Sequence, residues 1–140
     1  NFIANDIFQD KAFSNEYNVR YVSFEEILMK SDIISLHLNL SKSVIKLFNY
    51  DSFKMMKRNA ILINTSRGEI IDEASLMKAL DEKLIYGAGL DVFENEPYNG
   101  QLVNYDNVIL TPHIGSYAKE IRIKMEVEAV QNLIKGLEDE

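Results

Sequence analysis

Short apolar runs that end in polar residues recur along the chain, and segments with helical spacing separate them. The clearest runs cover residues 32–37, 60–64, 88–93 and 108–110. They have the length of strands and do not alternate polar with apolar side chains, which is typical of parallel strands buried on both faces. Parallel strands need crossover connections, usually helices. The pattern therefore predicts an α/β domain with a mostly parallel sheet and helices on both faces.

Further strand and helix candidates, with less clear patterns, occur toward both ends of the chain. Residues 2–4 and 19–22 are further strand candidates, and we expect a loop from 5 to 18. Residues 116–137 form the longest helical segment, with apolar side chains in two stripes around its circumference. We expect this helix to pack on more than its own sheet, with another domain or a second subunit covering the rest.

Capping residues mark the shorter helices. Ser23 stands three residues before a glutamate, the spacing of a capping box, and predicts a helix over 24–30. Asp51 is expected to cap a turn over 53–56, and Asp72 the helix that follows it.

Composition narrows the class of protein. The 140 residues suffice for one domain, and 46% hydrophobic with 26% charged residues is ordinary globular usage. A net charge of −7 argues against binding to nucleic acid or to an anionic membrane. The absence of cysteine excludes disulfides and thiolate zinc sites and favours a cytoplasmic location, and we predict no metal site. No apolar run in the sequence is long enough for a membrane span.

Ligands of open parallel sheets bind at the carboxyl ends of the strands, so the residues after each strand are the candidates for chemistry. Taken singly, each has an ordinary structural explanation. His37 and His113 fit satisfied structural histidines, Arg67 fits a surface salt bridge, and Glu96 fits a solvated acidic turn. Only several such residues, occurring together in recognisable motifs, indicate a functional site.

Three motifs supply that constellation: Asn-Thr-Ser-Arg-Gly at 64–68, Asp-Val-Phe-Glu-Asn-Glu-Pro at 91–97 and Thr-Pro-His-Ile-Gly-Ser-Tyr at 111–117. In this order they closely resemble the D-isomer-specific 2-hydroxyacid dehydrogenases. The resemblance begins at Asp6 and runs to the last helix. Within the family it is closest to phosphoglycerate dehydrogenase-like members, and it implies a Rossmann-like sheet.

The resemblance also implies a catalytic set. His113 would be the acid/base that exchanges a proton with the substrate oxygen, as a histidine can near neutral pH. Glu96 would hydrogen-bond the ring of His113, orient it and stabilise its protonated form. Arg67 would bind the substrate carboxylate and polarise the carbonyl that receives the hydride.

The implied cofactor is NAD. Asp6 would accept hydrogen bonds from the adenosine ribose, and its charge would repel the 2′-phosphate of NADP. Asp91 would contact the nicotinamide carboxamide. The remaining residues implied to line the cofactor site are His37, Thr65, Ser66, Arg67, His113 and Gly115.

Three features depart from the family pattern. Asn39 stands where the family commonly has proline, and Val44 where a small polar residue is frequent, which affects only the cofactor loop after His37. The Gly-x-Gly-x-x-Gly turn that binds the NAD pyrophosphate is absent from the sequence. We therefore interpret residues 1–140 as a partial NAD-binding domain whose first βα unit lies upstream, without the substrate domain. On its own it is expected to be inactive and to bind NAD weakly.

The predicted parent is an NAD-dependent oxidoreductase acting on the CH–OH group of a D-2-hydroxy acid, with 3-phosphoglycerate as one candidate. Its predicted partners are this small acid and a second copy, in a homodimer formed through the NAD-binding domain. The alternatives are a non-catalytic relative that senses NAD or binds protein, and an assembly module built on the apolar last helix.

Overall fold

The computed structural model describes residues 1–138, which contain six strands and five α-helices. The strands are β1 (Phe2–Ala4), β2 (Val19–Tyr21), β3 (Ile33–Leu36), β4 (Ile61–Asn64), β5 (Gly87–Leu90) and β6 (Val108–Leu110). The helices are α1 (Lys11–Tyr17), α2 (Phe24–Lys30), α3 (Tyr50–Met55), α4 (Glu73–Asp81) and α5 (Lys119–Glu138), with short 3-10 helices at Gly68–Ile70 and Gln101–Asn104. Every strand predicted from the sequence is present.

All strand pairs are parallel, so the predicted α/β class with a parallel sheet is confirmed. Strands β3, β4, β5 and β6 form one sheet in that order, and β1 pairs with β2 in a second sheet. A cleft of about 310 Å³ lies between β1 and β3. In a Rossmann-like sheet with strand order 3-2-1-4-5-6, the first strand falls between these two edges, and this is the unit expected to lie upstream.

One face of the four-stranded sheet carries the core. The register aligns Ile34 with Leu62 across β3 and β4, and both side chains are buried. Helices α2, α3 and α4 cover this face with Leu28, Phe53 and Leu76, whose side chains are at most 1% exposed. On the opposite face, Ile33 and Ser35 of β3 and Ile109 of β6 are exposed. The core therefore holds β3 to β6 rigidly and fixes where their carboxyl ends lie.

Helix α1 corrects the predicted loop over residues 5–18. The side chain of Asp10 accepts hydrogen bonds from the N–H groups of Ala12 and Phe13, and Asn18 ends the helix in the left-handed conformation. None of the helix residues is buried. Because α1 buries no apolar face, the periodic pattern that identifies helices was missing, and its two caps were the only signal.

The cap of α3 also differs from the prediction. Asn49, rather than Asp51, accepts the N–H groups of the first turn, namely those of Asp51 and Ser52. Asp72 does stand at the start of α4, but its carboxylate binds the Ser75 hydroxyl and the Lys46 ammonium instead of a backbone N–H. Both helices begin close to the expected position.

The last helix begins at Lys119, three residues after the predicted start, and its side chains are exposed from Lys119 to Leu137. Ile121 is 48% exposed and Val130 56%. The expectation that this helix packs on its own sheet is therefore wrong, and its packing on another domain or subunit stays a prediction. No described helix is long and apolar enough to cross a membrane.

Candidate active site

The turn after β4 is organised by a buried asparagine. The Asn64 side chain is 0% exposed, and its amide donates to the carbonyl of Arg67 at 2.8 Å. Its oxygen accepts the Ser66 N–H at 3.0 Å and the Ser66 hydroxyl at 2.9 Å. These bonds close the backbone into one turn, which presents Thr65 and Arg67 to solvent at the carboxyl end of the strand.

Gly68 brings this turn against the segment that carries Glu96. A Cβ on Gly68 would lie 1.9 Å from the backbone carbon of Phe93, so only glycine permits this approach. The Arg67 side chain is exposed and donates from Nη1 to the carbonyl of Ser66 at 2.6 Å. Among the described contacts it makes no hydrogen bond to Glu96 or His113, and its guanidinium therefore keeps donors for an incoming anion.

His113 and Glu96 form a hydrogen-bonded pair, as the resemblance implied. Nδ1 of His113 lies 2.8 Å from Oε2 of Glu96, and the other carboxylate oxygen accepts the N–H of Phe93 at 3.0 Å. A carboxylate only accepts hydrogen bonds, so Nδ1 carries a proton and Nε2 is the position that exchanges one. The pair lies on the wall of a cavity of about 660 Å³ that Phe93, Tyr98 and Tyr117 also line.

The pKa of Glu96 is lowered from its ordinary value of 4.5, chiefly by the hydrogen bond with His113, against the opposing effect of burial. Its ionised form therefore stabilises the fold above pH 4.5, and this contribution is lost as the pH falls through the lower pKa of the folded protein. We expect the free energy of unfolding, measured with urea across this acid range, to fall more steeply in the wild-type protein than in Glu96→Gln. Equal slopes would contradict this.

Asp91, the first residue after β5, is 7% exposed and holds the loop that bears His113. Its Oδ1 accepts the Thr111 hydroxyl at 2.5 Å and the N–H of Ile114 at 2.9 Å, and its Oδ2 accepts the N–H of Gly115 at 2.9 Å. Burial by itself would raise the pKa of Asp91, but these hydrogen bonds and the nearby His113 outweigh it and lower the pKa.

Asp6 and His37 lie together in the cleft between β1 and β3. Both side chains are exposed, and Oδ1 of Asp6 accepts the N–H of Phe8 at 2.9 Å, while Nε2 of His37 lies 2.9 Å from the Ser35 hydroxyl. The other oxygen of Asp6 accepts no hydrogen bond from the described residues and could therefore accept one from a sugar hydroxyl. This cleft therefore has the chemistry to bind a ribose, although the chain has no glycine-rich turn to bind a pyrophosphate.

Some of the implied site residues fall into two groups at one edge of the sheets. Asp6 and His37 line the cleft between β1 and β3, whereas Glu96 and His113 line the larger cavity. The other implied residues, Thr65, Ser66, Arg67, Asp91 and Gly115, line neither. Within the described residues, no group of three or more histidine, aspartate or glutamate side chains is arranged to hold a metal ion.

Sequence reasoning missed the two residues that organise the site internally. In the sequence analysis, Asn64 appeared only as the first residue of the Asn-Thr-Ser-Arg-Gly motif, and Asp91 was expected to contact the nicotinamide carboxamide. A buried-strand pattern that ends in a residue with a side-chain carboxylate or amide is the signal for such a role, since a polar group buried there must find partners in the following turn.

Comparison with known proteins assigns this arrangement to a family. Residues 1–115 match the D-isomer specific 2-hydroxyacid dehydrogenase, NAD binding domain. A glyoxylate reductase of Thermococcus litoralis is 51% identical over 120 residues, covering 85% of this chain and 36% of that protein. The 4-methyl-2-oxopentanoate reductase A of Aspergillus oryzae is 43% identical over 124 residues, covering 88% of this chain and 38% of that protein.

Comparison with solved structures points to the same family. A glyoxylate reductase from Paecilomyes thermophila superposes with a TM-score of 0.92 at 35% identity, over 99% of this chain and 42% of that one. A D-lactate dehydrogenase with NAD+ from Lactobacillus jensenii gives a TM-score of 0.82 at 32% identity, over 96% of this chain and 45% of that one. The chain thus spans about two fifths of these relatives' length. The special closeness to phosphoglycerate dehydrogenase stays a prediction. The chain belongs to the D-isomer-specific 2-hydroxyacid dehydrogenase family, because residues 1–115 match the model of that family's NAD-binding domain.

Proposed function

We propose that this chain is the catalytic part of an NAD-dependent oxidoreductase that interconverts a D-2-hydroxy acid and its 2-oxo acid. The observation that carries the proposal is the 2.8 Å hydrogen bond between His113 and Glu96 beside a cavity of about 660 Å³. This bond fixes the proton on Nδ1 and leaves Nε2 for the substrate, which is the arrangement that acid/base catalysis by histidine needs.

In the reducing direction, bound NADH supplies the hydride that attacks the carbonyl carbon of the 2-oxo acid. Protonated His113 donates its Nε2 proton to the carbonyl oxygen as the C–O double bond becomes a single bond. The Glu96 carboxylate stabilises the imidazolium before transfer and keeps the ring oriented afterwards. Arg67 binds the substrate carboxylate and stabilises the negative charge that develops on the carbonyl oxygen. Oxidation reverses each of these transfers.

The two ends of the cofactor site fit an NAD-type dinucleotide. In the cleft between β1 and β3, Asp6 has a carboxylate oxygen beside His37 that accepts no hydrogen bond from the described residues, and Glu96 and His113 mark the end where hydride transfer takes place. An upstream βα unit between β1 and β3 would supply the turn for the pyrophosphate. This is why we assign the activity to a longer protein and expect the 140-residue chain alone to bind NAD weakly.

For the substrate, we propose a small unphosphorylated 2-oxo acid such as glyoxylate. Glyoxylate reductases are among the relatives. Arg67, which lies outside the cavity lining, is already assigned to the substrate carboxylate, and the described residues that line the cavity include no further lysine or arginine for a phosphate dianion. The earlier candidate, 3-phosphoglycerate, would need such a cation from elsewhere in the protein.

A substrate panel on the longer protein tests this function. With NADH, we expect higher kcat/KM for glyoxylate and other unphosphorylated 2-oxo acids than for the phosphorylated 2-oxo acid related to 3-phosphoglycerate. Arg67→Gln should lower kcat/KM by about 10²–10³-fold, since it removes a donor to the developing charge. Arg58→Gln, in the loop before β4, is the matched control and should change little. No turnover of any 2-oxo acid would favour the non-catalytic, NAD-sensing alternative.

The cofactor preference depends on Asp6. In the longer protein, Asp6→Ala should weaken NADH binding by on the order of tenfold and narrow the preference for NADH over NADPH, because a charged hydrogen bond to the ribose is lost. NADH fluorescence measures both affinities. Asp106→Ala, at the opposite edge of the sheet before β6, should leave them unchanged. An unchanged ratio of the two affinities in Asp6→Ala would refute the assignment.

We also propose that the protein is a homodimer formed through its NAD-binding domain. The exposed apolar side chains of α5 support this, because burying them would remove a large apolar surface from water. Sedimentation of the longer protein should show a dimer, and a strictly monomeric species at high concentration would overturn the proposal.

A further inference from the structure

The loop that bears the candidate acid/base has a backbone conformation that needs a support. His113 has φ = 54°, in the left-handed region that residues with a Cβ rarely adopt. This conformation turns the N–H groups of the next two residues, Ile114 and Gly115, toward one point. Successive N–H groups that converge in this way form a concavity that binds an anion.

The anion in this concavity belongs to the protein itself. Asp91 is buried, and its two carboxylate oxygens accept both N–H groups at 2.9 Å and the Thr111 hydroxyl at 2.5 Å. The donors come from both sides of His113, so the carboxylate ties together the start and the end of the loop. Asp91 in turn is fixed to β4, because its own N–H donates to the carbonyl of Asn64 at 3.0 Å.

We infer that Asp91 is a positioning residue for His113: its carboxylate holds the left-handed turn that aims the His113 ring at Glu96. This inference rests on the proposed function of His113 as the proton donor. It differs from the carboxamide contact implied by family resemblance, because Oδ1 already has two donors and a cofactor contact would have to share Oδ2 with Gly115. The two roles predict different effects of the same substitution.

The first arm of the test needs no activity. In the 140-residue chain, Asp91→Asn keeps the side-chain volume but replaces one carboxylate oxygen with an NH2 group that faces an N–H donor. We expect amide hydrogen exchange at Ile114 and Gly115 to accelerate on the order of tenfold or more, as a charged hydrogen bond is lost. Exchange in β4 should stay within a factor of about two, because its ladder is untouched. Thr111→Val, which removes a single donor, should give a smaller acceleration at the same two amides.

The second arm uses the longer protein. Asp91→Asn should lower kcat for 2-oxo acid reduction on the order of ten- to a hundredfold while the dissociation constant of NADH changes less than about threefold. In a His113→Ala background, Asp91→Asn should have no further effect on kcat, because the residue through which it acts is gone. Additive losses would indicate general destabilisation and overturn the inference.

The results of these two experiments distinguish a failure of the positioning role of Asp91 from a failure of the proposed function. Unchanged exchange at Ile114 and Gly115, or a loss confined to NADH affinity, overturns the positioning role whatever the protein catalyses. Faster exchange at these two amides in a protein that reduces no 2-oxo acid leaves Asp91 as the support of the loop but refutes the proposed function.

Discussion

We expect His113→Ala, in the longer protein that contains this chain, to lower kcat for 2-oxo acid reduction by about 10²–10⁴-fold. The proton needed by the carbonyl oxygen would then have to come from water, without the orientation that Glu96 gives to the ring. Binding of NADH should stay close to normal, because proton transfer plays no part in it. Steady-state kinetics and NADH fluorescence measure the two quantities separately.

The control for this substitution is His113→Asn. Asparagine tolerates the left-handed conformation at this position better than alanine does, so this variant retains the loop while removing the proton donor. It should lose as much kcat as His113→Ala. Near-normal turnover in either variant would show that His113 is not the acid/base.

The second large effect is expected at Gly68. A methyl group there would lie 1.9 Å from the backbone carbon and 2.2 Å from the backbone oxygen of Phe93, and neither atom belongs to a flexible side chain that can move aside. Gly68→Ala should therefore lower the free energy of unfolding by about 1–3 kcal/mol or more, as overpacking does. The substitution should also move the turn that carries Arg67 away from the segment that carries Glu96. Urea unfolding of the chain measures the first effect.

Gly89 provides the matched control. It lies in β5, where no atom comes within 4 Å of the position of a Cβ. Gly89→Ala should change stability by less than about 0.5 kcal/mol, or raise it slightly, since alanine restricts the unfolded chain more than glycine does. Equal destabilisation by the two substitutions would contradict the assigned contact between Gly68 and Phe93.

The sequence predicted secondary structure most accurately where the spacing of apolar residues in one segment determined one strand or one helix. The run Ile33–Leu36 and the capped segment Phe24–Lys30 were predicted nearly to the residue, because apolar spacing and a serine N-cap are local properties. The pairing of His113 with Glu96 was implied by the family resemblance, and the structure shows it. Local pattern and family resemblance together thus supplied the fold class and the central hydrogen bond.

The remaining features depend on contacts that spacing does not encode. Helix α1 lacks a buried face and was predicted as a loop, and α5 exposes its apolar side chains although packing on its own sheet was expected. The role of Asn64 requires knowing that its amide turns back onto the carbonyl of Arg67. That of Asp91 requires the left-handed turn at His113, which is 22 residues away in sequence.

The most direct test of the account is the reaction of the longer protein with a prochiral 2-oxo acid such as 4-methyl-2-oxopentanoate. NADH consumption and the configuration of the product are measured together. The account predicts one 2-hydroxy acid formed per NADH oxidised, in the D configuration, and loss of both signals in His113→Asn. An L-configured product, or no NADH oxidation with any 2-oxo acid, would contradict it.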